Sequence, residues 1–182
     1  MRALSTTILT LALLAPAASH AASTGFYSHG AGVSARILES IELCTSADEL
    51  FDAERAAAVA RGVKLAEDAV ANREDDARAQ FALFCNLGRQ AEMEGASLDA
   101  LATVERMEAA VDRALELEPG YLDALVGKGM LLIELPWMMG GDEDRGEDLL
   151  REALALDPMF TEARERLATF LGEEGRLDEM PT

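Results

Sequence analysis

Few residues of this chain have the types and spacing that chemistry requires. Among 182 residues there are two cysteines and two histidines, and no serine lies in the pattern of a nucleophile elbow. His29 would be the one histidine left after removal of an N-terminal signal, and nothing near it in the mature chain supplies a Cys–His or His–His pair. The sequence therefore predicts no catalytic residue, no metal site and no cofactor, and it favours a protein that is not an enzyme.

Two acidic runs, at residues 74–76 and 142–144, resemble paired catalytic carboxylates or calcium ligands at first sight. Neither run has the ligand spacing and central glycine of a calcium loop. Both precede a predicted helix, where carboxylates cap the first turn and interact favourably with the helix dipole. We interpret them as helix caps and solvated faces, with carboxylate-based hydrolysis as a minor alternative.

The most distinctive stretch is the loop at 135–142, which places the only tryptophan beside two methionines and then two glycines. Trp and Met side chains form a large, adaptable apolar surface that suits a hydrophobic ligand or a partner helix. Alternatively, these side chains plug the end of a helix bundle while the glycines allow a tight turn. The predicted ligand- or partner-binding residues are Pro136, Trp137, Met138, Met139, Gly140 and Gly141.

The N-terminal residues have the pattern of a secretion signal. Arg2 is followed by a short apolar run at 8–15, and Ser19 and Ala21 are the small residues that a signal peptidase recognises. The run is shorter than the ~20 residues needed to span a bilayer, and no cysteine follows it for lipid attachment. The predicted division is a cleaved signal at 1–21, a leader and short N-terminal helix at 22–45, and a helical-repeat domain at 46–182.

Export determines how the two cysteines are interpreted. Cys44 and Cys85 form an even pair in a chain predicted to be soluble in the periplasm, where disulfides persist. A bridge between them would close a loop of about 40 residues and contribute about 3–4 kcal/mol in the chain-entropy model. The alternative is two separate buried thiols. We predict the disulfide.

The charge balance excludes several classes of partner. The chain carries 16 Lys and Arg residues against 34 Asp and Glu residues, for a net charge of −18. Nucleic acid and anionic lipid both require clusters of basic residues, and no basic face interrupts this acidic surface. We expect no nucleic-acid partner and no membrane span, and a basic partner would associate faster at low salt.

Apolar residues recur at helical spacing along the chain, and no alternating strand pattern is found. Ser46 and Glu49 match a capping box that opens a long helix. Gly95 lies where a left-handed residue would end a helix, and Pro136 ends another. The sequence therefore predicts an all-α fold. The predicted helices cover about 33–43, 46–72, 75–95, 98–117, 121–135, 142–156 and 160–173.

One helix-end pattern recurs along the chain. The pattern apolar-x-x-Ala-Leu-x-Leu-x-Pro at 111–119 reappears at 150–158, a shift of 39 residues, and a fainter copy lies at 66–72. Each copy ends a helix that another helix follows directly. Unrelated amphipathic helices with Ala- and Leu-rich ends are the alternative explanation. The small residues expected where paired helices cross closely are Gly62, Gly129, Gly146 and Ala168.

Helix pairs with this ending resemble tetratricopeptide repeats, whose period is ~34 residues. The longer shift here is accounted for by the loop at 135–141, and the first unit lacks the large aromatic residue that begins such a motif. The resemblance implies tetratricopeptide-like helical hairpins, in a degenerate array of about three pairs.

A more particular resemblance rests on the segment at 48–55, which reads DELFDAER, and on Leu135-Pro136 followed by Gly140-Gly141-Asp142. These features, over residues 45–172, resemble the T-component (TatT) family associated with tripartite ATP-independent periplasmic (TRAP) transporters. The resemblance implies a periplasmic protein that forms trimers, pairs with a solute-binding protein and helps to capture a hydrophobic or organic-acid solute. Family members are often lipid-anchored, whereas no cysteine follows the signal here.

The sequence thus supports two functional hypotheses. The first is a non-enzymatic accessory component for solute capture, with Trp137, Met138 and Met139 at the rim of a groove between helices. The second is a scaffold for cell-envelope assembly that holds a peptide or helix in the groove of a repeat array.

Overall fold

The computed structural model describes residues 34–95 and 97–181, and these residues form α-helices and short 3-10 turns with no strand among them. The predicted all-α fold is therefore confirmed. The predicted signal, the first part of the leader and His29 lie outside the described residues. The helices are α1 (Ala35–Ser46), α2 (Asp52–Asn72), α3 (Ala77–Glu94), α4 (Leu98–Leu117), α5 (Leu122–Glu134), α6 (Glu143–Leu156) and α7 (Thr161–Glu173).

The predicted helix caps at the two acidic runs are confirmed. Asp76 accepts hydrogen bonds from the backbone N–H groups of the first turn of α3. Asp142 does the same for α6, where its Oδ1 lies 3.0 Å from the amide nitrogen of Arg145. These bonds satisfy amides that have no partner inside the helix. Gly95, with a φ of 60°, ends α3 as predicted.

The predicted capping box at Ser46 is wrong. Ser46 is the last residue of α1, and its hydroxyl donates to the carbonyl oxygen of Glu42, 2.8 Å away in the same helix. A 3-10 turn (Ala47–Glu49) follows, and α2 begins at Asp52 rather than at Ser46. The hydroxyl bonds backward because the fully buried Ala47 continues the turn into the core.

The helix-end pattern in the sequence corresponds to a repeated turn. At the junctions 73–76, 118–121 and 157–160, the amide of the fourth residue donates to the carbonyl of the first, at 3.2, 3.0 and 3.0 Å. The same turn thus links α2 to α3, α4 to α5 and α6 to α7, at the spacing of the sequence repeat. That these hairpins are of the tetratricopeptide type stays a prediction.

The helices pack in two layers. Each even-numbered helix contacts the odd-numbered helices before and after it, and α3 also contacts α1 and α5. The Nε atom of Arg89 on α3 donates to the carbonyl oxygen of Cys44 on α1, 3.2 Å away. The C-terminal ends of α1 and α3 therefore lie side by side, as expected when the intervening helix reverses the chain. Within the described residues, no helix combines the length and the apolar character needed to cross a membrane.

Three of the four small residues lie where helices approach closely, as predicted. A Cβ atom on Gly146 would lie 2.6 Å from the carbonyl oxygen of Gly129, so α5 and α6 touch through their backbones. A Cβ on Gly62 would overlap the side chain of Asn86, which reaches across from α3. Ala168, in contrast, is half-buried on α7. Glycine allows these contacts because it has no side chain to displace the neighbouring helix.

Cys44 and Cys85 lie at disulfide distance, with their Cα atoms 6.0 Å apart. The predicted pairing is confirmed. The bridge links α1 to α3, so it joins two helices of the same layer that are separated in sequence by α2.

Candidate functional site

The odd-numbered helices enclose a groove of about 390 Å³, which we call the odd-helix groove. Its apolar lining comes from α3 and α5, with Met107 of α4 beneath them. This volume falls in the range of sites that hold small molecules or a few residues of a peptide. The principal apolar side chains are Phe81, Phe84, Val126, Met130 and Leu131.

Phe81 and Phe84 of α3 form the floor of the groove, and Tyr121 packs against Phe81 outside the lining. The ring centroid of Phe81 lies 5.9 Å from that of Phe84 and 5.3 Å from that of Tyr121. A Cβ atom on Gly127 would come within 2.5 Å of Phe84 Cε1, so the Phe84 ring lies directly on the backbone of α5. Because Gly127 has no side chain, the Phe84 ring can pack at this position.

The end of the groove beside the C-terminus of α1 contains two ion pairs. Arg89 lies 2.8 Å from Asp48, and Arg55 lies 2.8 Å from Glu92. Asp48, Arg89 and Glu92 all line the groove. Two guanidinium groups thus neutralise two of the carboxylates at this end, and Glu134 of α5 has no ion-pair partner among the described residues.

The opposite end of the groove contains Asp123, the second residue of α5. Its side chain is only 4% exposed, and its Oδ1 atom has no hydrogen-bond partner among the described residues. Burial raises the pKa of Asp123 to about 7, although a hydrogen bond from Tyr121 opposes this change. Glu162 raises the pKa further and Arg78 lowers it. A buried carboxyl group is costly unless it is paired, so this group is the strongest candidate for a functional residue.

The repeated turn explains why charged groups meet at this end. Arg78, Asp123 and Glu162 are each the second residue of an odd-numbered helix, in the same register after the same turn. Asp123 is not among the functional residues predicted from the sequence. The signal that could have found it is the alignment of the three copies, which places a charged residue at this position in each.

The predicted loop residues lie outside the lining of the odd-helix groove. Trp137 and Met138 are 84% and 73% exposed, so the interpretation that they plug the end of the bundle is wrong. Met139 is half-buried, and Pro136 precedes the 3-10 turn (Trp137–Met139) that presents these side chains.

The glycines of this loop make the tight turn that was predicted. Gly140 has a φ of 93°, a left-handed conformation that favours glycine. A Cβ atom on Gly141 would overlap the carbonyl group of Leu135, and the amide of Gly141 donates to the carbonyl oxygen of Pro136 at 3.1 Å. The backbone conformation of this turn therefore keeps the side chains of Trp137 and Met138 exposed to solvent.

The exposed loop adjoins the end of the groove that lies beside the C-terminus of α1. Glu134, the last residue of α5, lines the groove, and Trp137 follows three residues later. Three peptide units span at most about 11 Å, so the backbone of Trp137 lies within that distance of the groove lining. This position is consistent with the predicted rim, and contact between Trp137 and a ligand or partner stays a prediction.

No protein-family model matches the chain, and no curated protein is significantly similar to it in sequence. The resemblance to the T-component family is therefore still a prediction. Within the part of the chain that the structure describes, no group of three or more His, Cys, Asp or Glu side chains is arranged to hold a metal ion.

Proposed function

We propose that this protein is a non-enzymatic binding protein of the periplasm that captures an apolar solute in the odd-helix groove. The observation that carries the proposal is the groove itself, whose aromatic and methionine floor ends at a buried carboxyl group. Apolar pockets with a few placed polar groups are the common form of small-molecule sites. The protein would act as an accessory component of a TRAP-type transporter, as the sequence resemblance implies.

The charges of the groove bear on which solute it takes. Arg89 and Arg166 are its basic groups, and each already pairs with a carboxylate of the same lining, Asp48 and Glu162 respectively. An organic acid would have to compete with those carboxylates for a guanidinium group. The groove therefore favours an apolar solute over an organic acid.

Native mass spectrometry of the mature protein purified from a periplasm tests solute capture. We expect a bound small mass that is lost on denaturation, and a trimer if the resemblance holds. Met130→Trp, which fills the groove, should abolish the bound mass. Met159→Trp is the matched control, because Met159 is 81% exposed and lies outside the groove lining. A wild-type protein without any bound mass would contradict the proposal.

A second candidate function is an interaction scaffold for envelope assembly. It is favoured by exposed apolar side chains in the connections that follow α1 and α5. Phe51, Trp137 and Met138 are 79%, 84% and 73% exposed. Large apolar groups left exposed in this way are typical of protein interaction sites. The two functions are compatible if the groove takes the solute and these connections bind the partner.

A pull-down from periplasmic extract distinguishes the partners. We expect wild-type protein to capture a solute-binding protein, and the triple variant Trp137→Ala, Met138→Ala, Met139→Ala to lose it. The control variant Leu156→Ala, Met159→Ala removes exposed apolar side chains at the other end of the helices. Capture of an assembly complex instead would favour the scaffold, and unchanged capture by the triple variant would show that the loop is not the contact.

A further inference from the structure

No Lys or Arg side chain of the described residues forms a direct ion pair with Asp123. The neighbouring Arg78 is held 3.8 Å from Glu118, and its Cζ atom lies 5.8 Å from the centroid of the Tyr121 ring. Arg166, across the groove on α7, is paired with Glu162 at 2.9 Å. Each nearby guanidinium group is thus engaged elsewhere, and Asp123 keeps a carboxylate oxygen without a partner.

A second carboxylate stands at the far end of the same helix face. Glu134 also lines the groove, and no ion-pair partner for it is found within residues 34–95 and 97–181. Eleven residues separate it from Asp123, which places the two Cα atoms about 16 Å apart along α5. Between them lie Val126, Met130 and Leu131. The groove is therefore apolar in the middle and negatively charged along α5 at both ends.

We propose that Asp123 anchors the positively charged nitrogen of an aliphatic amine, whose hydrocarbon chain lies over Val126 and Met130. This inference rests on the proposed function of the odd-helix groove and names the chemical class of its ligand. An ammonium group supplies both the hydrogen bond and the positive charge that Asp123 lacks. The apolar chain covers the aromatic floor, and Tyr121 keeps the carboxylate oriented through its hydrogen bond.

Isothermal titration calorimetry with three eight-carbon probes tests the anchor. The probes are octylamine, octanol and octanoate, which share a chain and differ in the charge of the head group. We expect octylamine to bind the wild-type protein most tightly and octanoate most weakly. Asp123→Asn, which keeps the shape of the side chain, should weaken octylamine binding by about tenfold or more, since a hydrogen bond to a charged group is lost. Its binding of octanol should not change.

Glu152→Gln is the control, because it removes a carboxylate on an exposed face of α6 outside the groove lining. An amine with one nitrogen anchored at Asp123 should bind this variant as it binds the wild type. If Glu134→Gln weakens the amine and Asp123→Asn does not, the anchor is misplaced and the proposal fails. Asp123→Glu keeps the charge and should retain octylamine binding, which separates the anchor from a loss of folding.

The pH dependence gives an independent readout. The groups that act on Asp123 are Tyr121, which directly precedes α5, Arg78 on α3 and Glu162 on α7, and Arg166 of α7 lines the same groove. The carboxyl group of Asp123 ionises near neutral pH, so octylamine should bind more tightly at about pH 8 than at about pH 6. Octanol binding should not change with pH, and Asp123→Asn should lose the dependence on pH for the amine.

These binding results distinguish failure of the Asp123 anchor from failure of the proposed function of the groove. If octanol and octylamine bind equally and Asp123→Asn changes neither, the groove binds apolar chains and the anchor is refuted. If octanoate binds most tightly, the groove selects acids and the inference is wrong. If none of the probes binds at any pH, the groove is not a site for apolar solutes, and the proposed function fails together with the inference.

Discussion

The first three helices and the last three are held together by different means. The N-terminal unit (α1–α3) has a small core cluster of its own in which alanines outnumber large side chains, whereas the cluster of the C-terminal unit (α5–α7) consists mainly of leucines and a phenylalanine. The first cluster is Ile37, Ile41, Ala66, Ala69, Ala79 and Ala82, and the large buried side chains of α2 and α3 belong to a central cluster shared with α4 and α5. The cluster of the C-terminal unit includes Leu125, Leu149, Leu150, Leu154, Leu167, Phe170 and Leu171.

The N-terminal unit compensates for its small core with a covalent bond and buried hydrogen bonds. The disulfide links α1 to α3, and Asn86 Nδ2 donates to the carbonyl oxygen of Ser40, 2.9 Å away. The Ser40 hydroxyl in turn donates to the carbonyl oxygen of Gly62 on α2. Burial of an alanine removes little apolar area from water, so helices that pack through alanines gain less from the hydrophobic effect and depend more on such bonds.

The C-terminal unit is closed by ion pairs instead. Arg151 and Arg176 lie 2.7 and 2.9 Å from the carboxylate of Glu147, and Arg176 also pairs with Glu179 in the last 3-10 turn. Burial raises the pKa of Glu147, but hydrogen bonds from Arg151 and Arg176 outweigh it and hold the pKa below its ordinary value. The C-terminal unit therefore combines large buried side chains with ion pairs, whereas the alanine-rich cluster of α1–α3 is supplemented by a disulfide and buried hydrogen bonds.

Breaking the disulfide should have the largest effect. We expect Cys44→Ser, Cys85→Ser to lower the free energy of unfolding by about 3–4 kcal/mol, since the denatured chain loses a covalent constraint. Urea unfolding measures the loss, and amide hydrogen exchange should rise more in α1 than in α6. Reductant should reproduce the effect in the wild type and leave the double variant unchanged. An equal rise in exchange in both units would contradict the comparison.

Adding a methyl group at the two helix crossings should cost somewhat less. We expect Gly146→Ala and Gly62→Ala each to lower the free energy of unfolding by about 2–3 kcal/mol through overpacking. The obstacle at Gly146 is the backbone of Gly129, whereas at Gly62 it is the side chain of Asn86. In an Asn86→Ala background, Gly62→Ala should therefore cost much less, while Gly146→Ala should cost the same. A double-mutant cycle measures this difference, and equal costs in both backgrounds would refute it.

Removing the buried charge at Asp123 should stabilise the protein, and only at higher pH. Because the folded pKa of about 7 exceeds the ordinary aspartate pKa of 3.8, the unfolded chain ionises first and stability falls as pH rises between these values. We expect Asp123→Asn to gain about 1–2 kcal/mol at about pH 8 and nothing at about pH 4, as measured by urea unfolding. A gain of the same size at both pH values would show that the charge is not the cause.

Weakening the ion pairs of the C-terminal unit should have the smallest effect. We expect Glu147→Gln to cost about 1 kcal/mol at neutral pH, because partly exposed ion pairs contribute little each. The lowered pKa means that this stabilisation is present above the ordinary glutamate pKa and is lost as pH falls through the folded value. The variant and the wild type should therefore converge in acid. Glu152→Gln, on an exposed face of α6, is the control and should change nothing.

Local chemistry made most of the helix boundaries predictable. Asp76 and Asp142 cap the helices that were expected, because a carboxylate just before a helix finds free amides within reach. Ser46 was mispredicted because its hydroxyl has two local choices of similar energy, the carbonyl of Glu42 behind it or the amides ahead. The packing of Ala47 against the core decides between them.

The candidate site was only partly predictable. The loop at 135–142 stands out in composition, and the sequence could show that its glycines make a turn. Nothing in the sequence shows that Trp137 is exposed, since the same side chains could equally fill the end of a bundle. Asp123 was missed because a carboxylate in the first turn of a helix is ordinarily a solvated group that interacts with the helix dipole.

The sequence by itself determined the helices and their repeated turns, because apolar periodicity and capping depend on residues that are close in the chain. It also determined which cysteines pair, because the chain contains only two. Only the tertiary structure decided which helices form the same layer, where the groove lies and which carboxyl group is buried in it. Burial and the pKa of Asp123 depend on atoms of α3 and α7 that are distant in sequence. The chemistry of the site therefore arises from packing, which no local pattern specifies.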